Sequence, residues 1–197
     1  AVAGTAAPRG LIASVLLREP AERELELAKS SGLLLESRAP VFRGQREFNL
    51  KQQGLGAVVY EAMDAQRRAE FHRRAARWLL GLRDGRPPGF GAMLAHHFAV
   101  AGDQARAADS LLHTADEALR ALANRDAFDA YLAAAEIARE LHERTPTDQH
   151  AATILVQALV ARAELGVRLG ETELAVAAGR DAIAVSKVAQ PKSALHV

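Results

Sequence analysis

The stretch from Glu47 to Leu82, EFNLKQQGLGAVVYEAMDAQRRAEFHRRAARWLLGL, limits the fold more than any other part of this chain. Phe48 and Leu50 alternate with polar residues over Glu47 to Lys51, which predicts a strand. Gly54 and Gly56 weaken the start of the next element, a short helix over about residues 55–63. Asp64 has the side chain that caps a helix N-terminus, and the long helix after it, about residues 65–82, carries Arg67, Arg68, Arg73, Arg74 and Arg77. That helix has two apolar stripes, one of Phe71, Trp78 and Leu82 and one of Ala69, His72, Ala76 and Leu79. Two stripes imply two packed neighbours.

The segments before this stretch extend the same pattern. Gly4 suits a helix C-terminal cap. Pro8 suits the first turn of a helix to about residue 17, with Leu11, Ile12, Val15 and Leu16 as its apolar face. Glu19-Pro20 ends it. A second helix over about residues 21–31 turns Leu25 and Ala28 inward and stops at Gly32. Leu33 to Leu35 then begins a strand that returns through a polar turn around Gly44. Helix, helix, two-stranded hairpin and helix together describe a winged-helix module.

Beyond residue 83 the character changes. DGRPPGFG, residues 84–91, cannot continue a helix and reads as a linker. Its glycines could cradle phosphate, but no helix-opening Lys-Ser/Thr follows them. From Met93 onward nearly everything is helical, with turns expected at Gly102-Asp103, Asn124-Arg125, Thr145-Pro146-Thr147 and Gly170-Glu171. Alanines seven apart (Ala108/Ala115, Ala127/Ala134, Ala175/Ala182) sit on one face of each helix and admit a close neighbour. Paired helices with small residues at the contacts suggest a degenerate tetratricopeptide-like solenoid. Gln190 to Val197 offers no polar capping helix, so both ends read as cut from a longer chain.

Composition fits a helical protein. Apolar residues make up 49% and aromatics 5%, which leaves the core to Ala, Leu and Val. There is no cysteine, hence no disulfide scaffold and no thiolate metal site. No apolar run approaches the roughly 20 residues that span a bilayer, and a cytoplasmic protein with no membrane partner is expected. Residues 1–90 carry 15 Lys/Arg against 10 Asp/Glu, whereas residues 91–197 carry 10 against 14. That change of sign supports a boundary at the linker.

The run GQREFNLKQQGLGAVVYEAMDAQRRAEFHRRAARWLL resembles the winged-helix segment of bacterial STAND-type signalling ATPases, which are often fused to kinases, cyclases or transcription activators. Their usual pattern is aromatic-x-Phe-basic-His-Ala-Leu, a helix ending in Ala-Tyr, then Arg-Arg-x-x-x-His-Arg-Arg-x-Ala. Phe48, Lys51, Tyr60, Arg67, Arg68, His72, Arg73, Arg74 and Ala76 fall in register with it. The likeness runs from Ala1 to about Ala135 and includes LAHHFAVAGDQARAADSLLHTADEAL. Where the family has His-Ala-Leu, this chain has Gln52-Gln53-Gly54, and Leu50 replaces the usual Phe. Gln52 can hydrogen-bond but cannot protonate.

The resemblance implies a non-catalytic regulatory region that relays nucleotide state between an upstream ATPase domain and sensor repeats. No Gly-x4-Gly-Lys-Ser/Thr is present, so ATP or ADP would belong to that upstream domain and no cofactor to this chain. The contact residues it implies toward other domains of the polypeptide, or another protein, are Lys51, Gln52, Arg67, Arg68, Arg73, Arg74, Arg77 and Trp78. Trp78 also has a plainer reading as core.

Two alternatives stand beside this one. A free-standing adaptor would use the concave face of the helical array, with Tyr131, Arg139 and Arg162 as candidate lining residues. A DNA-binding regulator would place the five arginines on phosphates, against a reading in which Glu61, Asp64 and Glu70 neutralise some of them. His96 and His97 diverge by about 100° on a helix and cannot share a metal ion. One of the pair is expected inside and the other in water. No nucleophile or acid–base constellation is present, and no enzyme is expected.

Overall fold

The computed structural model describes residues 6–87 and 89–189. The protein is mostly helical with one small antiparallel sheet. It forms two compact units: the first reaches Phe90 and includes Val100–Gly102, and the second comprises Gly91–Ala99 and the chain from Asp103 onward.

In the first unit, strand β1 (Ala6–Pro8) leads into helix α1 (Arg9–Leu16) and helix α2 (Glu22–Ser30). Strands β2 (Leu34–Glu36) and β3 (Glu47–Leu50) follow, then helices α3 (Gln53–Glu61) and α4 (Ala65–Leu80). The sheet has three strands in the order β1-β3-β2, not the two expected, because Ala6–Pro8 pairs with β3 through Ala7 opposite Phe48. Three residues of Ala-Ala-Pro carry no alternation, so this strand was invisible to pattern. Pro8 is accordingly the last residue of β1 and the N-cap of α1, where its lack of an N–H costs nothing. Gly32, with φ of +73°, reverses the chain after α2, and Leu33 N–H donates to the Ala28 carbonyl.

Buried Leu11, Leu25, Phe42, Phe48, Ala75, Ala76 and Leu79 make the core of this unit. Phe48 in the central strand is 1% exposed, worth about 2–3 kcal/mol in burial alone. Leu16, expected on the apolar face of α1, is exposed because the helix ends there and Leu17 takes a left-handed φ of 57°. Asp64 caps α4 by accepting from Arg67 N–H at 2.8 Å.

The second unit holds all but the end residues of α5 (Phe90–Val100), with α6 (Gln104–Arg120), α7 (Asn124–Arg144), α8 (Gln149–Leu169) and α9 (Thr172–Ala189). The linker is shorter than expected, since α5 opens at Phe90, directly after Gly89. The second turn falls earlier than Asn124-Arg125: α7 starts at Asn124, and the chain reverses at Leu122 with φ of 61°. From α6 to α9, each helix packs along the next in sequence. Ala108, Ala115, Ala127, Ala134, Ala175 and Ala182 are all buried, so the seven-residue alanine spacing does mark the contact faces. Second neighbours are also tied. Asp109 of α6 meets His150 of α8, and Arg139 of α7 meets Asp181 of α9 at 2.9 Å.

The reading of Gly4 as a cap and that of Gln190 to Val197 as an uncapped end both lie outside the described residues, as does Pro88 of the linker.

Candidate functional site

The contact residues anticipated from the sequence fall into three groups. Arg68, Arg73 and Arg74 are engaged within the first unit. The Arg68 guanidinium lies 4.9 Å from the centre of the Tyr60 ring, and Nη2 donates to the Met63 carbonyl at 3.1 Å. Tyr60 in turn shares a hydrogen bond with His72 Nε2 at 3.0 Å, so one cluster joins the end of α3 to the middle of α4. His72 is 1% exposed. Arg73 and Arg74 both reach Glu70, and Arg74 Nη1 donates to the Val15 carbonyl at 2.8 Å while Ser14 Oγ donates to the Arg74 carbonyl. The two guanidiniums, Arg74 first and Arg73 second, hold the Glu70 carboxyl below its usual range. Glu70 therefore neutralises part of the basic helix, and Asp64 serves as its cap; Glu61 is exposed on α3.

Trp78 forms the second group. It is half-buried, with its ring edge-on to Phe42 at 5.6 Å and its indole against Gly10. A Cβ at Gly10 would lie 2.7 Å from Trp78 Nε1, so the glycine creates the space that the ring fills. Trp78 thus packs within its own unit, partly exposed, against α1 and the β2–β3 loop.

Lys51, Gln52, Arg67 and Arg77 form the third group, all exposed. Gln52 is the N-cap of α3 but makes no side-chain cap bond. Arg67 lies over Phe71 at 5.4 Å. Lys51 passes close to Gly32. The eight residues thus do not form one cluster: Arg68 turns to Tyr60, Arg74 to Glu70 and α1, and Trp78 to Phe42 and Gly10.

Helix α3 is the least covered element near them. Val58 is 63% and Val59 46% exposed, and Gly56, set against Leu50, is its one buried residue among those with described side chains.

An ion-pair network that the sequence did not reveal clamps α2 to the hairpin. Arg46 binds Glu36 through Nε at 2.7 Å and Glu22 through Nη1 at 2.7 Å, while Lys29 binds Glu36 at 2.9 Å and also Glu26. Arg46 first, and Lys29 second, pull the Glu36 carboxyl down to about 2. Glu47, 1% exposed, turns inward and accepts from Val41 N–H at 3.0 Å and Phe42 N–H at 3.4 Å, which fixes the loop between β2 and β3. Spacing could not show either feature, because their partners are brought together only by strand pairing.

In the second unit Tyr131, expected on a concave face, is 4% exposed and donates to Asp116. It is a core residue, because its position on α7 falls in the same buried stripe as Ala127, Ala134 and Ala138. Burial first, and the Asp116 carboxylate second, raise its phenol above the ordinary range. Arg139 pairs with Asp181, and the Arg162 guanidinium stacks over Phe128 at 4.8 Å. His97 is buried and His96 exposed, as expected of adjacent positions on a helix. Among the described residues no group of His, Asp and Glu is placed to hold a metal ion, and no helix is long and apolar enough to cross a membrane. No known family model, curated protein or solved structure matches the chain.

Proposed function

We propose that the chain is a regulatory, protein-interaction region of a larger STAND-type signalling ATPase, with a winged-helix module in its first unit and tetratricopeptide-like repeats in its second. The observation that carries this reading is topological. A short strand, two helices and a hairpin whose return strand sits between the other two match the strand order expected of a winged helix, which supports this reading. The cluster of Tyr60, Arg68 and His72 adds support, since three residues in register with the family's pattern meet at the joint between α3 and α4. Such a region would act by shifting between domain packings with different contacts, and it would leave the chemistry to other domains.

A free-standing adaptor is the second reading, favoured by the alanine-packed stack of α6 to α9 taken alone. DNA binding through α4 draws less support, because Arg68, Arg73 and Arg74 are held by their own unit.

Reading the source gene upstream of the codon for Ala1 separates the first two. A P-loop within the preceding few hundred residues is the expected result; a start codon or an unrelated linker there overturns the relay reading and leaves the adaptor. In a parent protein that carries the P-loop, Tyr60→Phe removes the bond to His72 and is expected to change nucleotide-dependent output. Unchanged output in that variant would count against a relay through this joint.

A further inference from the structure

We propose that the end of the first unit formed by the β2–β3 loop and the segment after α4 docks an acidic, partly apolar segment of a protein partner. This builds on the protein-interaction reading above and names the partner's chemistry. Three arginines issue from the last turn of α4 and the chain after it, namely Arg77, Arg83 and Arg86, with Asp84 as the only carboxylate among residues 77–87. The hairpin loop adds Arg38 and Arg43, and residues 37–46 contain no carboxylate at all. The two segments touch, since a Cβ at Gly85 would lie 2.9 Å from the Arg43 carbonyl oxygen, and Phe42 meets Trp78 just beneath.

Much of the positive charge here has no carboxylate partner among the unit's described residues. Arg46, Arg73, Arg74 and Lys29 are each held by a carboxylate, whereas Arg38, Arg43, Arg77, Arg83 and Arg86 form no ion pair among the described residues. Arg86 does donate to the Leu82 carbonyl at 3.2 Å, and it lies over the Phe90 ring. The buried Glu47 carboxylate holds the loop backbone at Val41 and Phe42, so the arginines are displayed from a fixed support.

Two features favour a protein partner over nucleic acid. Val41 and Leu80 stand 49% and 51% exposed on these same two segments, and a phosphate backbone has nothing apolar to cover them. The hairpin is also clamped through Arg46 to α2, whose Glu22, Glu24 and Glu26 are exposed. With three carboxylates against Arg23 and Lys29, α2 adds little for a duplex, which carries a charge about every 1.7 Å, to extend onto. An acidic protein segment can match the basic area and stop there.

The test uses fluorescence anisotropy with a labelled amphipathic peptide bearing glutamates on one face and leucines on the other. The expected result is saturable binding that falls about tenfold in Arg43→Glu/Arg83→Glu and weakens with salt. Both side chains are exposed, and circular dichroism checks that the variant stays folded. Absence of saturable binding overturns the proposal, as does an unchanged affinity in the folded variant. Equal binding of a peptide with serine for leucine, or tighter binding of duplex DNA at the same salt, overturns the choice of partner. None of these outcomes bears on the P-loop search, so the relay reading stands or falls separately.

Discussion

Gly10 and Trp78 show how much a single position decides in the first unit. The missing Cβ on α1 lets the indole lie against the helix, with Cε2 and Cζ2 each 3.2 Å from where that atom would be. Gly10→Ala would gain helix propensity of roughly 0.8–1 kcal/mol. The contact at 2.7 Å costs more, because the ring is held on its other side by Phe42. A net loss of about 1–2 kcal/mol is expected. Trp78 is the only tryptophan, so its emission reports the displacement directly. Unchanged emission and stability would mean the ring does not pack on α1. Glycine here was legible in the sequence only as a weak helix residue, since its partner lies 68 positions away and nothing in a helical period links them.

At the scale of elements, the clamp between α2 and the hairpin gives a pH dependence of defined sign. The Glu36 carboxyl has an ordinary value of 4.5 and a folded value of about 2. The unfolded chain takes up the proton first as the solution is acidified. The stabilisation is therefore complete above about pH 4.5 and drains away as the pH falls toward 2. The group is about a third exposed, at 31%, so solvent screens it and the effect is small. Glu36→Gln should lower the melting midpoint at pH 7 by about 2 °C. It should also make the loss of stability between pH 4.5 and 2 shallower, as followed by thermal melts across an acid series. An identical pH slope in the variant would remove Glu36 from the clamp. The hairpin itself was readable from Phe48, Leu50 and the turn at Gly44. The third strand and the clamp were not, because Ala-Ala-Pro has no pattern of its own and Arg46 meets Glu22 only after β2 and β3 pair.

At the scale of the whole molecule, small side chains set how closely the second unit's helices approach. Ala134 is fully buried on α7, between α6 and α8 in chain order, in a cluster that includes Ala115, Ala138, Ala158 and Leu159. Ala134→Leu forces about three extra carbons into that seam. It is expected to cost at least 1–3 kcal/mol, read as a lower urea midpoint by circular dichroism. An unaffected midpoint would mean the seam is looser than the burial indicates.

The sequence by itself determined most of the elements: apolar periodicity, the cap at Asp64, the reversal at Gly32 and the alanines seven apart all act within one helix, one turn or one strand. Their consequences are therefore written locally. Only the tertiary structure decided which charges are free. Five arginines on α4 looked alike in sequence, yet Glu70, Tyr60 and the Val15 carbonyl engage Arg68, Arg73 and Arg74, whereas Arg67 and Arg77 are exposed and form no ion pair among the described residues. Electrostatic pairing depends on distances between segments remote in the chain, and those distances exist only once the sheet and helices have closed on one another.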